Sequence, residues 1–174
     1  MHRALGSLIA SLVLASAFSA HPAPLPSWDF TKTADRQGWQ PTHDLGPIAG
    51  NADGMVLSIT GSDPYTIGPV RNYPADTPLW LHIRFKSDQG GMAQIFYFNT
   101  HATEENSVRF AVPGGGQWHD AKVRLPALGP SYRLRFDPPG TSGTCVLNGL
   151  RFEPRVAFHP PAWPSPAPSG PGPD

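Results

Sequence analysis

The chain has 174 residues, enough for one substantial hydrophobic core, and 39% of them are hydrophobic, which excludes a disordered chain. Its 13 Lys and Arg residues balance its 13 Asp and Glu residues, so the basic excess typical of nucleic-acid-binding proteins is absent. The 22 prolines and 18 glycines fall between short apolar runs. This spacing is typical of short strands joined by turns and predicts an all-β protein.

The two ends of the chain differ from its middle. Residues 1–20 have the pattern of a secretory signal peptide, with Arg3 before an apolar run, and cleavage after Ala17 and after Ala20 both fit. We expect export to the periplasm, cell envelope or medium and no membrane span after cleavage; an uncleaved anchor is the alternative. Residues 21–26 predict a Pro-rich spacer, and residues 155–174 predict a Pro-rich disordered tail.

The middle, residues 27–154, predicts a single domain of about eight strands. Their sequences, in chain order, are SWDF, GMVLSIT, PLWLHIRFKS, GMAQIFYFNT, NSVRFAVPGGG, HDAKVRLPAL, SYRLRFDP and TCVLNGLRFEP. The clearest is PLWLHIRFKS, where apolar residues alternate with Trp80, His82 and Arg84 on a polar face. Asn148 and Gly149 interrupt the last strand and predict a bulge or kink. Strands at this spacing are typical of an antiparallel β-sandwich or barrel, which we expect to be monomeric.

The only cysteine, Cys145, excludes an intramolecular disulfide. No base or cation flanks it in sequence, so we expect a buried apolar residue rather than a reactive thiol.

Two Asp-Pro turns stand out, GSDPYTIGP at residues 61–69 and RFDPPGTSG at residues 135–143. Each either shapes the fold or forms the lip of a binding site. In the first, we expect Asp63 to cap the turn, and the sequence leaves Tyr65 open as a core or a rim residue.

Several segments together resemble one known pattern. They are SWDF with Gly38-Trp39, GSDPYTIGP, HIRFKS followed by GGMAQIFYF, SVRFAVPGGGQWHDAKVRL, and RLRFDPPGTSGTCVLNGLRFEP. In this order, over residues 27–154, they resemble the galactose-binding-like jelly-roll modules of secreted bacterial proteins. The resemblance implies a β-sandwich of two antiparallel sheets with a carbohydrate-binding role, and sometimes a structural calcium ion.

The chain departs from that pattern at two positions. Asn148 stands where an aspartate is common, and Tyr97 stands where a tryptophan is frequent. If the first and last strands meet, as the resemblance implies, Asp29, Asn148 and Glu153 would supply oxygen ligands for calcium. The alternative is that Asp29 caps a turn and Glu153 is solvated.

Sugar binding combines a flat aromatic ring with side chains that bond hydroxyl groups. The candidates are the aromatic residues Tyr65, Trp80, Tyr97 and Trp118 with the polar residues His82, Arg84 and Arg109. Trp28 and Trp39 are expected in the core, and a structural role is equally open for Trp118. If one sheet face carried Arg84, Arg109, Lys122, Arg124, Arg133 and Arg135, it would suit an acidic polysaccharide. Pairing of each cation with a loop acid is the ordinary alternative.

Catalysis has little support in the sequence. Glu104 and Glu105 are adjacent rather than opposed as glycoside hydrolysis requires, and no metal-binding histidine motif occurs. A lyase-type site of Tyr97, His119 and Arg109 is conceivable from composition alone. The sequence therefore favours a non-catalytic carbohydrate-binding protein. The alternatives are a cell-envelope interaction domain and, third, a small jelly-roll lyase or hydrolase.

Overall fold

A computed structural model of the chain describes residues 24–156, so the predicted leader and most of the predicted tail lie outside the described residues. One sheet contains six strands: β1 (Ser27–Asp29), β3 (Ala49–Asn51), β4 (Gly54–Ile59), β6 (Leu79–Ser87), β9 (Trp118–Leu125) and β11 (Gly143–Pro154). The other contains five: β2 (Gln40–His43), β5 (Tyr65–Ile67), β7 (Gly91–Phe98), β8 (Ser107–Val112) and β10 (Arg133–Asp137). All the pairings are antiparallel.

The strand order explains which residues become neighbours. The six-stranded sheet runs β3-β4-β11-β6-β9 with β1 also paired to β11, and the five-stranded sheet runs β2-β5-β10-β7-β8. The only regular helices within residues 24–156 are α1 (Thr33–Arg36) and a 3₁₀ turn (Glu104–Asn106). No helix of this part of the chain is long and apolar enough to cross a membrane.

The core lies between the sheets and follows from the two-residue period of the strands. In β6, Leu79, Leu81, Ile83 and Phe85 are at most 1% exposed, and the intervening residues point outward. Burial of each such side chain contributes about 1.5–3 kcal/mol before entropy is counted. Trp28 and Trp39 are in this core, as expected, with their rings packed edge to face.

The longest strand, β11, contains the predicted irregularity. Its register against β6 shifts between Leu147 and Gly149, so Asn148 is the bulged residue. Before the bulge β11 pairs with β4, and after it with β1. Gly54 of β4 has φ +139°, and a Cβ there would lie 2.1 Å from the carbonyl oxygen of Leu147. The approach of β4 to the bulge therefore requires glycine.

Cys145 is fully buried, as the sequence predicts. Burial raises the pKa of its thiol to about 12.

Candidate functional site

The outer side of the six-stranded sheet carries a continuous polar surface, here called the tryptophan face. It consists of the outward residues of three adjacent strands: Trp80, His82, Arg84 and Lys86 of β6; Trp118, Asp120, Lys122 and Arg124 of β9; and Arg151 and Glu153 of β11, followed by Arg155. They share a face because residues directly opposite one another on paired strands point the same way.

The two tryptophans mark the ends of this face. Trp80 lies opposite Arg124, whereas Trp118 lies opposite Lys86, six residues further along β6. At about 3.3 Å per residue the two rings are roughly 20 Å apart along the strands. Both side chains are partly exposed. The face thus offers two aromatic platforms separated by a polar floor.

Cations surround both rings. The Lys122 ammonium lies 4.7 Å from the centroid of Trp80, with the Arg124 and Arg155 guanidinium groups at 5.5 and 6.0 Å. Around Trp118, the Lys86 ammonium lies at 4.8 Å and the Arg84 guanidinium at 5.3 Å. These cation–π contacts hold the rings and concentrate positive charge over them.

Glu153 is the central acid of the face. Its Oε1 atom accepts a 2.7 Å hydrogen bond from Lys122 and lies 3.0 Å from Nε2 of His82, and Oε2 lies 3.4 Å from Arg151. The bond from Lys122, assisted by His82, lowers the pKa of the Glu153 carboxyl to about 2. Glu153 therefore stays ionised and holds three basic side chains in place.

A groove opens where the bulge of β11 meets this face. It has a volume of about 470 Å³, and its lining includes His82, Arg84, Arg151 and the bulge residues Asn148 and Gly149. The Asn148 side chain donates a 2.9 Å hydrogen bond to the carbonyl oxygen of Asp53. The bulge thus creates a concave site with hydrogen-bond donors along one wall.

The outer side of the five-stranded sheet, the five-strand face, is built differently. Arg135 lies over Tyr65, 3.6 Å from its centroid, and 4.6 Å from the centroid of Phe96. Its guanidinium donates two hydrogen bonds, of 2.7 and 2.6 Å, to the carboxylate of Asp137. His43 stacks on Tyr65 at 5.7 Å. The aromatic rings of this face are therefore covered by the protein's own side chains.

The two Asp-Pro turns meet at one pocket on the five-strand face. Asp63 and Pro64 from the first turn and Asp137 and Pro138 from the second line a cavity of about 280 Å³, together with residues of β7 and Arg109. Asp63 Oδ1 lies 3.6 Å from Arg135. Burial raises the pKa of the Asp137 carboxyl, and its hydrogen bonds to Arg135 oppose that rise. The turns thus both shape the fold and form the rim of a small polar pocket.

The structure places the predicted site residues on different surfaces. Trp80, His82, Arg84 and Trp118 lie together on the tryptophan face, where Arg84 is exposed and the other three are partly exposed. Tyr65 and Arg109 lie on the opposite face.

Tyr97 is 9% exposed and packs in the core, so the structure corrects its assignment as an exposed platform. The neighbouring residue Phe96 points outward instead, as its contact with the Arg135 guanidinium shows. A lyase-type site is not assembled either. Tyr97 points inward, whereas Arg109 points outward on the neighbouring strand and bonds Gln94 and Glu104.

The predicted basic residues are divided between the two faces, so the condition that one sheet face carries all six is not met. Arg84, Lys122 and Arg124 lie on the tryptophan face, whereas Arg109, Arg133 and Arg135 belong to strands of the five-stranded sheet. Sequence analysis missed Arg155 and Arg151 as site residues. Arg151, Glu153 and Arg155 alternate along the end of β11 and just beyond it, and this period of two could have placed both arginines on the outward face of the strand.

The calcium hypothesis does not fit the geometry. Asp29 lies opposite Gly149 and its carboxylate accepts hydrogen bonds from Thr31, whereas Glu153 lies four residues further along β11 among three basic side chains. The Asn148 amide faces Asp53. Among residues 24–156, no group of three or more His, Cys, Asp or Glu side chains is placed to hold a metal ion.

The comparison with solved structures supports the fold. No family model and no curated protein matches the sequence. In structure, CBM1 of BiXyn10A in its apo form aligns with a TM-score of 0.57 at 8% identity, covering 73% of this chain and 95% of that one. A family 6 carbohydrate-binding module from Clostridium cellulolyticum in complex with xylose aligns with a TM-score of 0.52 at 15% identity, covering 74% and 96%. The resemblance predicted from the sequence is confirmed for the fold: the chain has the jelly-roll β-sandwich of carbohydrate-binding modules.

Proposed function

We propose that this protein is a non-catalytic carbohydrate-binding protein whose binding site is the tryptophan face. The observation that carries the proposal is the placement of Trp80 and Trp118 at opposite ends of the β6–β9 pair, partly exposed and joined by a polar floor. An oligosaccharide lying along the strands would contact both rings.

The chemistry of the face suits this ligand. The apolar face of a pyranose ring packs on an indole ring, and the hydroxyl groups that it directs sideways need donors and acceptors. Arg84 and His82 line the groove, and Asp120, bonded to Arg84 at 2.6 Å, offers an acceptor on the same strand pair. The family 6 module with the same fold was solved with xylose, which supports a sugar as the ligand class here.

Cleavage of the sugar is not part of the proposal. A glycosidase needs one carboxyl group with a raised pKa to act as the general acid. On this face, Glu153 has its pKa lowered to about 2, and the Asp120 carboxylate bonds Arg84. Both carboxylates are therefore suited to hold cations in place. We also propose that the chain is exported, with residues 1–20 removed, and acts as a monomer.

Affinity electrophoresis of the exported chain in gels containing neutral and acidic polysaccharides tests the proposal. Trp80→Ala and Trp118→Ala should each weaken binding by about thirtyfold or more, since truncation of an aromatic hot-spot residue costs about 2 kcal/mol or more. Val70→Ala is the control, because Val70 is an apolar residue 43% exposed that lines neither candidate pocket. Chelator should change nothing.

Three results would contradict the proposal. Unchanged binding in both tryptophan variants, with thermal unfolding showing that they fold, would exclude the tryptophan face. Loss of binding in Arg109→Gln alone would move the site to the five-strand face. Failure of the unaltered chain to bind any polysaccharide of a broad panel would reject sugar binding altogether.

A further inference from the structure

The tryptophan face carries more positive than negative charge. Six cationic side chains belong to it: Arg84, Lys86, Lys122, Arg124, Arg151 and Arg155. Three carboxylates pair with some of them, namely Asp53, Asp120 and Glu153. The face therefore has three positive charges in excess, although the whole chain has none.

The excess is concentrated at one end. Around Trp118, Lys86 bonds Asp53 and Arg84 bonds Asp120, both at 2.6 Å, so each cation there has its own carboxylate. Around Trp80, only Lys122 has such a partner, Glu153. Within residues 24–156, the Arg124 and Arg155 guanidinium groups contact no carboxylate, although both lie beside the Trp80 ring.

Arg155 is held in position by the fold. Its backbone N–H donates a 2.8 Å hydrogen bond to the carbonyl oxygen of Pro78, just before β6 begins. Its side-chain Nε is buried and has no hydrogen-bond partner. A buried donor without a partner is unfavourable, and a rotation of the Arg155 side chain that brings Nε to an acceptor would relieve that cost. Glu153, which lies opposite Trp80, contacts Lys122, His82 and Arg151 and makes no ion pair with Arg155.

We propose that the sugar unit stacked on Trp80 carries an anionic group, a carboxylate or a sulfate ester, bound by Arg124 and Arg155. This inference rests on the proposed function and names its substrate class. Guanidinium groups suit such ligands because their planar donors form paired, charge-assisted hydrogen bonds with carboxylate and sulfate oxygens. The Trp118 end, whose cations are paired internally, takes a neutral unit.

Matched polysaccharides test the charge requirement. The exported chain is titrated with polygalacturonate and its methyl-esterified form, and with dextran sulfate and dextran, at low and high salt. The anionic member of at least one pair should bind about tenfold more tightly at low salt, and the difference should shrink at high salt. Preference within the first pair identifies a carboxylate, and preference within the second identifies a sulfate.

Variants then locate the charge requirement. Arg124→Gln and Arg155→Gln should each weaken binding of the anionic form about three- to tenfold, the double variant more, and binding of the neutral form by less than twofold. Arg124→Lys keeps the positive charge but loses the paired donors of the guanidinium group, so it should weaken binding of the anionic form less than Arg124→Gln does. Lys32→Gln is the control, since Lys32 is an exposed cation away from this face.

The outcomes separate the two proposals. Equal, salt-insensitive binding of charged and neutral partners, lost in Trp80→Ala, would overturn the anionic ligand but keep sugar binding. Equal losses in Lys32→Gln and Arg124→Gln, or equally tight binding of single-stranded DNA, would also overturn it, because the effect would then be unspecific charge attraction. Binding of none of the four polysaccharides would overturn it too, and failure across the broad panel would reject both proposals.

Discussion

Replacement of Arg135 by methionine should destabilise the protein at neutral pH by about 2–3 kcal/mol. Arg135 and Asp137 are only 18% and 17% exposed at their side chains, and they form a two-bond ion pair. Loss of one partner of a fully buried pair costs about 3–5 kcal/mol because the other charge remains buried, and residual exposure reduces that figure here. Methionine retains an unbranched apolar side chain over Tyr65 and Phe96, so the loss of stability mainly reflects removal of the guanidinium charge.

The assay is urea unfolding of the single variant and of the double variant Arg135→Met/Asp137→Asn. The double variant should recover most of the lost stability, because an amide in place of the carboxylate leaves no unpaired charge. A loss below about 0.5 kcal/mol in the single variant, or a double variant no more stable than the single one, would refute the reasoning.

The pH dependence gives an independent check with a defined sign. Burial already raises the pKa of the Asp137 carboxyl above its ordinary value of 3.8, and removal of Arg135 removes the contacts that oppose the rise. A group whose pKa is raised by folding stabilises the protein at low pH and loses that contribution as pH rises through the folded-state pKa. The single variant should therefore approach the double variant in stability as pH falls from 7 toward 4. A constant gap would contradict this sign.

Three further predictions follow from single positions. Gly54→Ala should lower the free energy of unfolding by more than about 2 kcal/mol, because the added methyl would meet the carbonyl of Leu147. Gly115→Ala is the control: Gly115 has φ +88° but open space around it, so the change should cost only about 1 kcal/mol. Thermal unfolding of both variants measures the difference. The Cys145 thiol should resist alkylation in the folded protein and react once urea unfolds it, with a buried thiol pKa of about 12 as the reason. The Glu153 carboxyl should stay ionised down to about pH 3 in NMR titration of the folded chain, and Lys122→Met should raise its midpoint.

Alternation of apolar and polar residues predicts the long strands. β6 is the clearest case, because five buried residues, four of them apolar, alternate with outward ones over nine positions. β2 and β3 escaped prediction because they are three or four residues long, expose their side chains and show no apolar period, and β5 because its three residues YTI are too few to define one. They are strands because neighbouring strands supply backbone partners, and that information is not local.

The same limit applies to the site. The sequence places Trp80, His82 and Arg84 on one polar strand face, and the structure has them there. It cannot tell which of two adjacent apolar residues faces the core in a strand that is apolar on both sides. The resemblance places the aromatic platform at Tyr97, whereas in the structure Tyr97 packs in the core and Phe96 points outward under the Arg135 side chain of the next strand. Nor can it show that two Asp-Pro turns more than 70 residues apart line one pocket.

The comparison of the two outer faces explains why a sugar is expected on one and not on the other. To stack on Tyr65, a ligand would have to displace Arg135, and that would leave Asp137 without its partner. A weak stacking contact cannot compensate for an unpaired buried carboxylate. Around Trp80, Arg124 and Arg155 can leave their cation–π contacts without breaking an ion pair, and of the three cations beside this ring only Lys122 has a carboxylate partner. A ligand that carries an anionic group would give Arg124 and Arg155 the carboxylate or sulfate partner that they lack. Arg135 already has such a partner in Asp137, and for this reason we expect an acidic sugar on the tryptophan face and not on the five-strand face.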